Sequence, residues 1–375
     1  MILTNLTYIE YAQKPREWAL HDLRLNEINL LVGKNASGKT RTLNVINSLA
    51  TLVSGRRKNM FQEGEWTADF IHNNQKYKYI IGISDFLVKE EIFRQGRRTL
   101  LRRGPDGVGR IRLEKKGELV DFQTPTDQVA SVSRRDSLQH SFFSLLNDWG
   151  NNVLFFQFGT PMGRNEISVI AKDGPVEFDP LNTDRVLVVF REGMKKYDIQ
   201  FKQSIIFDME RLGYFIKDIG ARTPIDIKVQ GPVQGELLGL YIVEQGLGEP
   251  VDQNQISQGM FRALSVVIQL NFAILSRDTA CILIDDIGEG LDFQRCKAIV
   301  EFLMEKSKES NLQLIMSTND KLVMNMVPLN YWTVLSREER EMNIHNFKNS
   351  REKFENFSYT GLNNFEFFSS GYIEN

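Results

Sequence analysis

Leu30-Leu31-Val32-Gly33-Lys34-Asn35-Ala36-Ser37-Gly38-Lys39-Thr40 decides how the rest of this 375-residue chain is read. An apolar run leads into a glycine loop, and Leu43, Val45, Ile46 and Leu49 then follow at helical spacing. The order predicts strand, loop and helix. The pattern G-x-x-x-x-G-K-T is that of a phosphate-binding loop. Its backbone N–H groups cradle phosphates, Lys39 reaches the β- and γ-phosphates, and the Thr40 hydroxyl ligates Mg²⁺. Gly33 and Gly38 are required because a side chain would hold the backbone away from the anion. Asn35, Ala36 and Ser37 complete the loop, and Arg41 follows it. A glycine turn before an amphipathic helix is the bland alternative. The expected ligands are ATP and Mg²⁺.

Composition sets outer bounds. With 42% hydrophobic residues the chain can bury a full core, in one large or two modest domains. A net charge of −2 excludes a globally basic nucleic-acid coat and leaves local patches open. Cys281 and Cys296 show neither metal spacing nor a disulfide framework, which suits a reducing cytosol. Cys281 opens an apolar run and reads as an inert core residue. The first residues lack a basic segment followed by an apolar one, so no signal peptide is expected. No apolar run approaches roughly 18 residues, so neither a membrane span nor a membrane partner is expected, and the chain reads as cytoplasmic.

Ahead of the loop, strands are expected over 3–8, 18–25 and 28–32, with a turn at Lys14-Pro15. The helix after the loop should stop before Ser54-Gly55. From 66 to 122, short alternating segments separated by Asn73-Asn74, Gly104-Pro105-Asp106-Gly107 and Lys116-Gly117 predict an antiparallel meander. This meander carries the clearest charge run: ten basic residues stand between Lys89 and Lys116 against four acidic ones. It reads either as a surface for phosphate backbone or an acidic partner, or as a solvated strand face. A helix is expected over 137–149 and a strand over 153–158. Helical spacing follows over 184–219, then strands over 225–229 and 237–243.

A second constellation follows. Ser257-Gln258-Gly259 precedes a helix that is apolar almost all round, from Ala263 to Leu275, and such a helix is buried. Its start offers free N–H groups and a positive dipole end, a second anion site, although a serine there is ordinarily just a cap. The apolar strand 281–284 then ends in Asp285-Asp286, where phosphate-loop proteins place an Mg²⁺-side carboxylate. Gly290-Leu291-Asp292, a helix, and an apolar strand ending in Ser317-Thr318-Asn319-Asp320 complete the order.

That order resembles the ABC-type ATPase heads of the SMC/RecF/OLD group, and most of all the compact single-chain ATPases of bacterial defence operons. The likeness is carried by residues 28–60 and 255–325. It implies an α/β P-loop NTPase of ABC-ATPase type with an antiparallel β-lobe and a helical insertion. The core would comprise 1–60 and 255–348, the β-lobe 61–160, the helical insertion and return strands 161–254, and a Phe-rich segment 349–375. Further implied are Lys39 and Thr40 on phosphate and Mg²⁺, and Ser257 and Gly259 as the signature that touches the γ-phosphate of a second subunit. Asp285 would be the Mg²⁺-side acid, Asp292 the dimer-contacting aspartate and Gln157 the Q-loop residue. The chain would form a homodimer or higher homo-oligomer and regulate a separate nuclease or toxin in anti-phage defence.

Two departures bear on rate. The group has Glu after the Mg²⁺-side Asp, to position water; here Asp286 stands there, its carboxylate drawn back by roughly 1.5 Å, one C–C bond. Glu289 compensates if the chain turns it inward. Asn319 stands where the group has a switch histidine, and it can hydrogen-bond a phosphate but not titrate. Slow hydrolysis is expected, with Lys39, Asp286 and Asn319 as catalytic candidates. The alternatives are a RecF-like ATPase binding DNA between Arg94 and Arg112, and a nearly inactive scaffold or antitoxin. The closing cluster of Phe354, Phe357, Phe365, Phe367 and Phe368 reads as a docking patch or as core packing.

Overall fold

The structure, a computed structural model, describes every residue except 58–59, 167, 171–178, 180, 226–234, 277–280, 311, 339–340 and 374–375. In chain order the strands are β1 (Ile2–Glu10), β2 (Trp18–Arg24), β3 (Ile28–Val32), β4 (Glu63–His72), β5 (Gln75–Ser84), β6 (Leu87–Gln95), β7 (Arg98–Arg103), β8 (Val108–Arg112) and β9 (Leu119–Gln123). They continue with β10 (Val153–Gln157), β11 (Ser168–Ile170), β12 (Ile216–Arg222), β13 (Glu236–Glu244), β14 (Pro250–Asp252), β15 (Cys281–Asp285), β16 (Gln313–Thr318), β17 (Trp332–Glu338) and β18 (Glu341–Asn346). The helices are α1 (Lys39–Ser54), α2 (Ala130–Ser133), α3 (Phe143–Gly150), α4 (Val186–Arg211), α5 (Gln258–Leu275), α6 (Phe293–Ser310), α7 (Lys321–Met326), α8 (Arg351–Ser358) and α9 (Asn364–Ser369). Two compact units divide them: Met1–Val153 with Gln313–Asn319 and Val327–Asn375, and Leu154–Leu312 with Asp320–Met326.

In the first unit the strands lie in the order β16-β3-β17-β18-β2-β1-β4-β5-β6-β7-β8-β9. Every residue of β3 is buried, as a continuous apolar run between two parallel neighbours should be. From β4 to β9 the strands pair consecutively and antiparallel, which is the expected meander. Asn73 and Asn74 both adopt positive φ (48° and 60°), so the two-residue turn matches the twist of the β4–β5 hairpin. Trp66, Ala68 and Phe70 point inward on alternate positions, and the Phe70 ring meets Trp149 of α3 edge-on at 4.9 Å. The C-terminal cluster is spent on this unit's own packing: Phe354, Phe357 and Phe367 are buried, with Phe354 and Phe357 rings 4.7 and 4.8 Å from that of Phe367.

The charge run of the meander is not all surface. Glu91 and Arg103 face each other across β6 and β7 as an ion pair at 3.3 Å with both side chains fully buried. Glu91 also accepts from the N–H groups of Ala130 (2.7 Å) and Ser131 (2.9 Å), while Arg103 donates to the carbonyls of Pro125 (3.2 Å) and Gln128 (2.6 Å). The pair thereby clamps the segment after β9 onto the meander.

In the second unit β10 neighbours β15, and β11, β13 and β12 form a smaller antiparallel sheet with β14 paired to β13. Helix α5 is buried from Met260 to Asn271. Among the described residues it is the one helix long and apolar enough to cross a membrane, and most of it lies inside the protein. Two expectations shift. The helical spacing over 184–219 ends at Arg211, because Gly213 turns the chain with φ 78° and Ile216 begins a strand. The helix expected from 137 starts at Phe143, because Asp136 accepts from the N–H groups of Leu138 (2.9 Å) and Gln139 (2.6 Å) and holds a turn there. The strand expected over 225–229 falls, from 226 on, outside the described residues.

Removing one member of a buried ion pair strands the other, at a cost of about 3–5 kcal/mol. Glu91→Leu and Arg103→Met are each expected to lower unfolding free energy by that amount in urea titrations, and the double variant by less than the two together. Single variants as stable as the parent would deny the pair this role.

Candidate nucleotide-binding site

The residues singled out from the sequence fall in two groups, one in each unit. In the first unit Val32, the last residue of β3, pairs with Thr318, the last of β16, so these two parallel strands end level and the loop leaves at their carboxyl edge, while β17, paired through Val334, runs on to Glu338. Ligands in parallel α/β sheets bind at such an edge. A Cβ at Gly33 would stand 2.3 Å from Ser37 Oγ and 2.4 Å from the Leu335 carbonyl, so the loop closes only over glycine. Gly38, with φ 96°, caps α1, whose first turn holds no acidic residue. Its positive end therefore faces the loop undiluted.

Lys39 is 6% exposed, and its ammonium donates to the carbonyls of Gly33 (2.8 Å) and Lys34 (3.1 Å), folding back over the loop. Ser37 is 4% exposed, and its hydroxyl is buried without a hydrogen-bond partner. An orphaned hydroxyl, a glycine-tight loop and a buried ammonium fit a triphosphate. Asn35, Ala36 and Thr40 are exposed, Ala36 with φ 63°. Arg41 turns away: its guanidinium lies 4.5 Å over the Trp18 ring and pairs with Glu10, and burial lowers its pKa. Asn319 is exposed one residue beyond buried Thr318, and so ends β16 at the edge where the loop begins.

The second unit holds the acidic strand end. β15 is buried throughout, and Asp285 is 7% exposed. Phe158 N–H donates to the Asp285 carbonyl at 3.1 Å, which levels the end of β15 with exposed Gln157 at the end of β10. Asp286 adopts a left-handed φ of 52°, which few non-glycine residues do, and the chain turns there. Burial pushes the Cys281 thiol up to about 12 and the Cys296 thiol to about 11, so neither is a nucleophile at neutral pH.

Ser257 is exposed and caps α5, its hydroxyl accepting from Met260 N–H at 3.3 Å. A Cβ at Gly259 would lie 2.9 Å from the Gly290 carbonyl and 3.2 Å from Leu291 Cδ2. The first turn of α5 thus rests on the backbone ahead of Asp292. Asp292 caps α6 by accepting from Arg295 N–H (3.1 Å) and pairs with its guanidinium (2.6 Å). Those bonds hold the Asp292 carboxyl below the usual carboxylate range.

Arg262 went unnoticed in the sequence. It is 4% exposed, and donates to the Glu289 carbonyl (2.7 Å) and the Thr160 carbonyl (3.4 Å), joining α5 to both strand-end loops. Its one signal is that no other residue of α5 is charged. Arg164 and Gln253 were missed as well. Arg164 donates to the carbonyls of Ile256 (2.7 Å) and Asn254 (2.6 Å), and Gln253 to those of Gly163 (3.0 Å) and Glu166 (2.7 Å), so together they hold the approach to Ser257.

A family model described as "AAA domain, putative AbiEii toxin, Type IV TA system" matches residues 28–325. No curated protein matches the chain. Among solved structures it is similar to an SmcHead bound to the C-winged helix domain of ScpA, at 14% identity over 92% of this chain and 97% of that one, with a TM-score of 0.50. It is also similar to the SMC head domain from Thermotoga maritima (13% identity, 92% and 99% covered, TM-score 0.45). A third is the Smc head with an extended coiled coil bound to the C-terminal domain of ScpA, derived from Pyrococcus furiosus (12%, 95% and 100%, TM-score 0.47). The first of these shares the fold, that of a P-loop ATPase head.

Gly33→Ala is expected to weaken ATP binding at least about tenfold, since the loop must open to admit the methyl group. A fluorescent-nucleotide titration measures it, with circular dichroism confirming the fold. Because the Asp292 pKa is depressed on folding, its stabilisation is complete above the ordinary carboxylate range and lost as pH falls through the depressed value. Asp292→Ala should therefore be less stable than the parent at pH 7, and the difference in melting temperature should close in acid.

Proposed function

We propose, from the premise that this chain belongs to the AAA-domain family whose model spans residues 28–325, that it is an ATP-hydrolysing head that closes as a head-to-tail homodimer around two Mg·ATP. The closed dimer would act on a separate effector protein. The observation that carries this reading is the start of α5: an exposed serine cap and a glycine turn, set against the backbone before Asp292. It is a second anion-accepting helix end, without a lysine, in a chain whose lysine loop is already sufficient for one triphosphate.

In this mechanism the loop N–H groups and Lys39 hold the β- and γ-phosphates. Thr40 and Asp285 are the residues that would hold Mg²⁺, which would supply neutralisation of charge on the phosphates. Gln157 would serve as the Q-loop residue, and Asn319 would hydrogen-bond the γ-phosphate without exchanging a proton. Ser257 and Gly259 of the partner subunit cap the same phosphate, and Asp292 lines the interface. A carboxylate of the turn 286–289 orients the attacking water. Phosphate departure then removes the group both subunits share, and the clamp opens.

A separate partner protein is supported by the SMC head found bound to a domain of ScpA, and an association with toxin–antitoxin systems by the family's description. A role in anti-phage defence rests on the resemblance to ATPases of defence operons. A second reading, direct action on DNA, is favoured by a cavity of about 640 Å³ on the β-lobe lined by Lys89, Arg102 and Arg110. Arg102 and Arg110 stand directly opposite each other, and Arg110 also pairs with exposed Asp121 at 3.5 Å, so the surface there is basic with one acidic neighbour. DNA affinity falling steeply with salt and lost in Arg102→Glu would support that reading.

Lys39→Ala is expected to abolish ATP-dependent dimerisation in light scattering. A variant that still dimerises on ATP would sink the clamp. Phosphate release from the parent distinguishes a turning-over head from a scaffold that holds ATP unchanged.

A further inference from the structure

We infer that the carboxylate orienting the attacking water is that of Glu289, not of Asp286, and that Arg262 is the residue that positions it. The inference rests on the ATPase reading above and names the residue that the reading leaves open.

Hydrogen bonds set Glu289 in a closed frame. Its N–H donates to the Asp286 carbonyl at 3.1 Å, closing the turn that follows the left-handed Asp286. Its carbonyl accepts from Arg262 Nη1 at 2.7 Å. Arg262 Nε reaches the Thr160 carbonyl at 3.4 Å, and the N–H (3.0 Å) and hydroxyl (2.8 Å) of Thr160 donate to the Gln157 carbonyl. With Phe158 N–H on the Asp285 carbonyl at 3.1 Å, the ends of β10 and β15 and the turn after β15 are joined through one buried guanidinium.

Two glycines shape that frame. A Cβ at Gly290 would meet Arg262 Nη1 at 2.1 Å, so only glycine admits the guanidinium there. A Cβ at Gly159 would lie 3.2 Å from Glu289 Oε2, so the carboxylate extends over the bare backbone of the β10 loop, two residues beyond Gln157. Glu289 is therefore turned inward toward the strand ends, the condition under which it makes up for the missing methylene of Asp286. It is also unspent. The residue is exposed, and among the described residues its carboxylate carries no hydrogen bond or ion pair. Asp286, shorter by one methylene, sits half-buried at the bend itself.

The step needs no other reagent. Water oxygen bonds to the γ-phosphorus as the bond to the bridging oxygen breaks and its electron pair leaves on ADP. The proton of the water passes to the Glu289 carboxylate and then to solvent. General-base assistance of this kind contributes on the order of 10²–10⁴-fold.

The test compares full-length parent, Glu289→Gln, Asp286→Asn and Arg262→Lys in ATP binding, ATP-dependent dimerisation and turnover. Glu289→Gln should bind ATP and dimerise as the parent does, with KM unchanged and kcat reduced at least about 10²-fold. Arg262→Lys keeps the charge but loses the two-pronged grip, and should lower kcat with little change in KM. Parental kcat in Glu289→Gln would overturn the assignment, as would loss confined to Asp286→Asn. A parent that binds no ATP defeats the ATPase reading itself, a different outcome from ATP bound and hydrolysed without Glu289.

Discussion

Close approach of backbone to backbone, permitted only where a side chain is missing, underlies both groups of functional residues. Gly33 lets the loop fold against the Leu335 carbonyl and Ser37, and Gly259 lets α5 rest on the Gly290 carbonyl. Gly290 in turn gives way to Arg262. At each place an added methyl group would stand closer to its neighbour than contact allows and push it away. An anion site made of N–H groups depends on that spacing, because a backbone donor cannot extend itself as a side chain can.

Around these contacts the fold supplies stiffness. The parallel neighbours of β3 place the loop at a fixed edge, and the fully buried strand leaves it little freedom to shift. In the second unit stiffness comes from polar ties. Arg164, Gln253 and Arg262 all donate to backbone carbonyls, so they fix the course of loops without consuming the side chains those loops present. Ser257, Gln157 and Glu289 remain exposed as a result. Gln253 and Arg262 donate from buried positions, giving hydrogen-bond partners to carbonyls of irregular backbone.

The β-lobe uses its charge differently. Glu91 and Arg103 spend opposite charges on holding the meander to the segment after β9, whereas Arg102, one residue earlier, faces out beside Arg110. Neighbouring residues of one strand thus serve the core and the surface, because strand side chains alternate faces. A run of basic residues on alternating strands is accordingly two populations, separable only by register.

Local rules were enough for the strand, loop and helix around Gly33, for the hairpins of the meander and for the buried character of α5. Hydrophobic period, turn residues and glycine placement are all written within a few residues of where they act. Tertiary structure alone decided the rest. The end of α4 depended on Gly213 and the strand pairing of Ile216–Arg222 with β13, while the start of α3 yielded to a turn held by Asp136. Arg262 and Glu289 acquire their places from partners up to 102 positions away, Thr160 among them, and the burial of Arg103 comes from Glu91 on the next strand. Chemistry that needs a named residue at a fixed spacing is legible along the chain. Chemistry that needs a carbonyl brought in from elsewhere has no trace there, because every residue owns a carbonyl and only the fold selects which one is used.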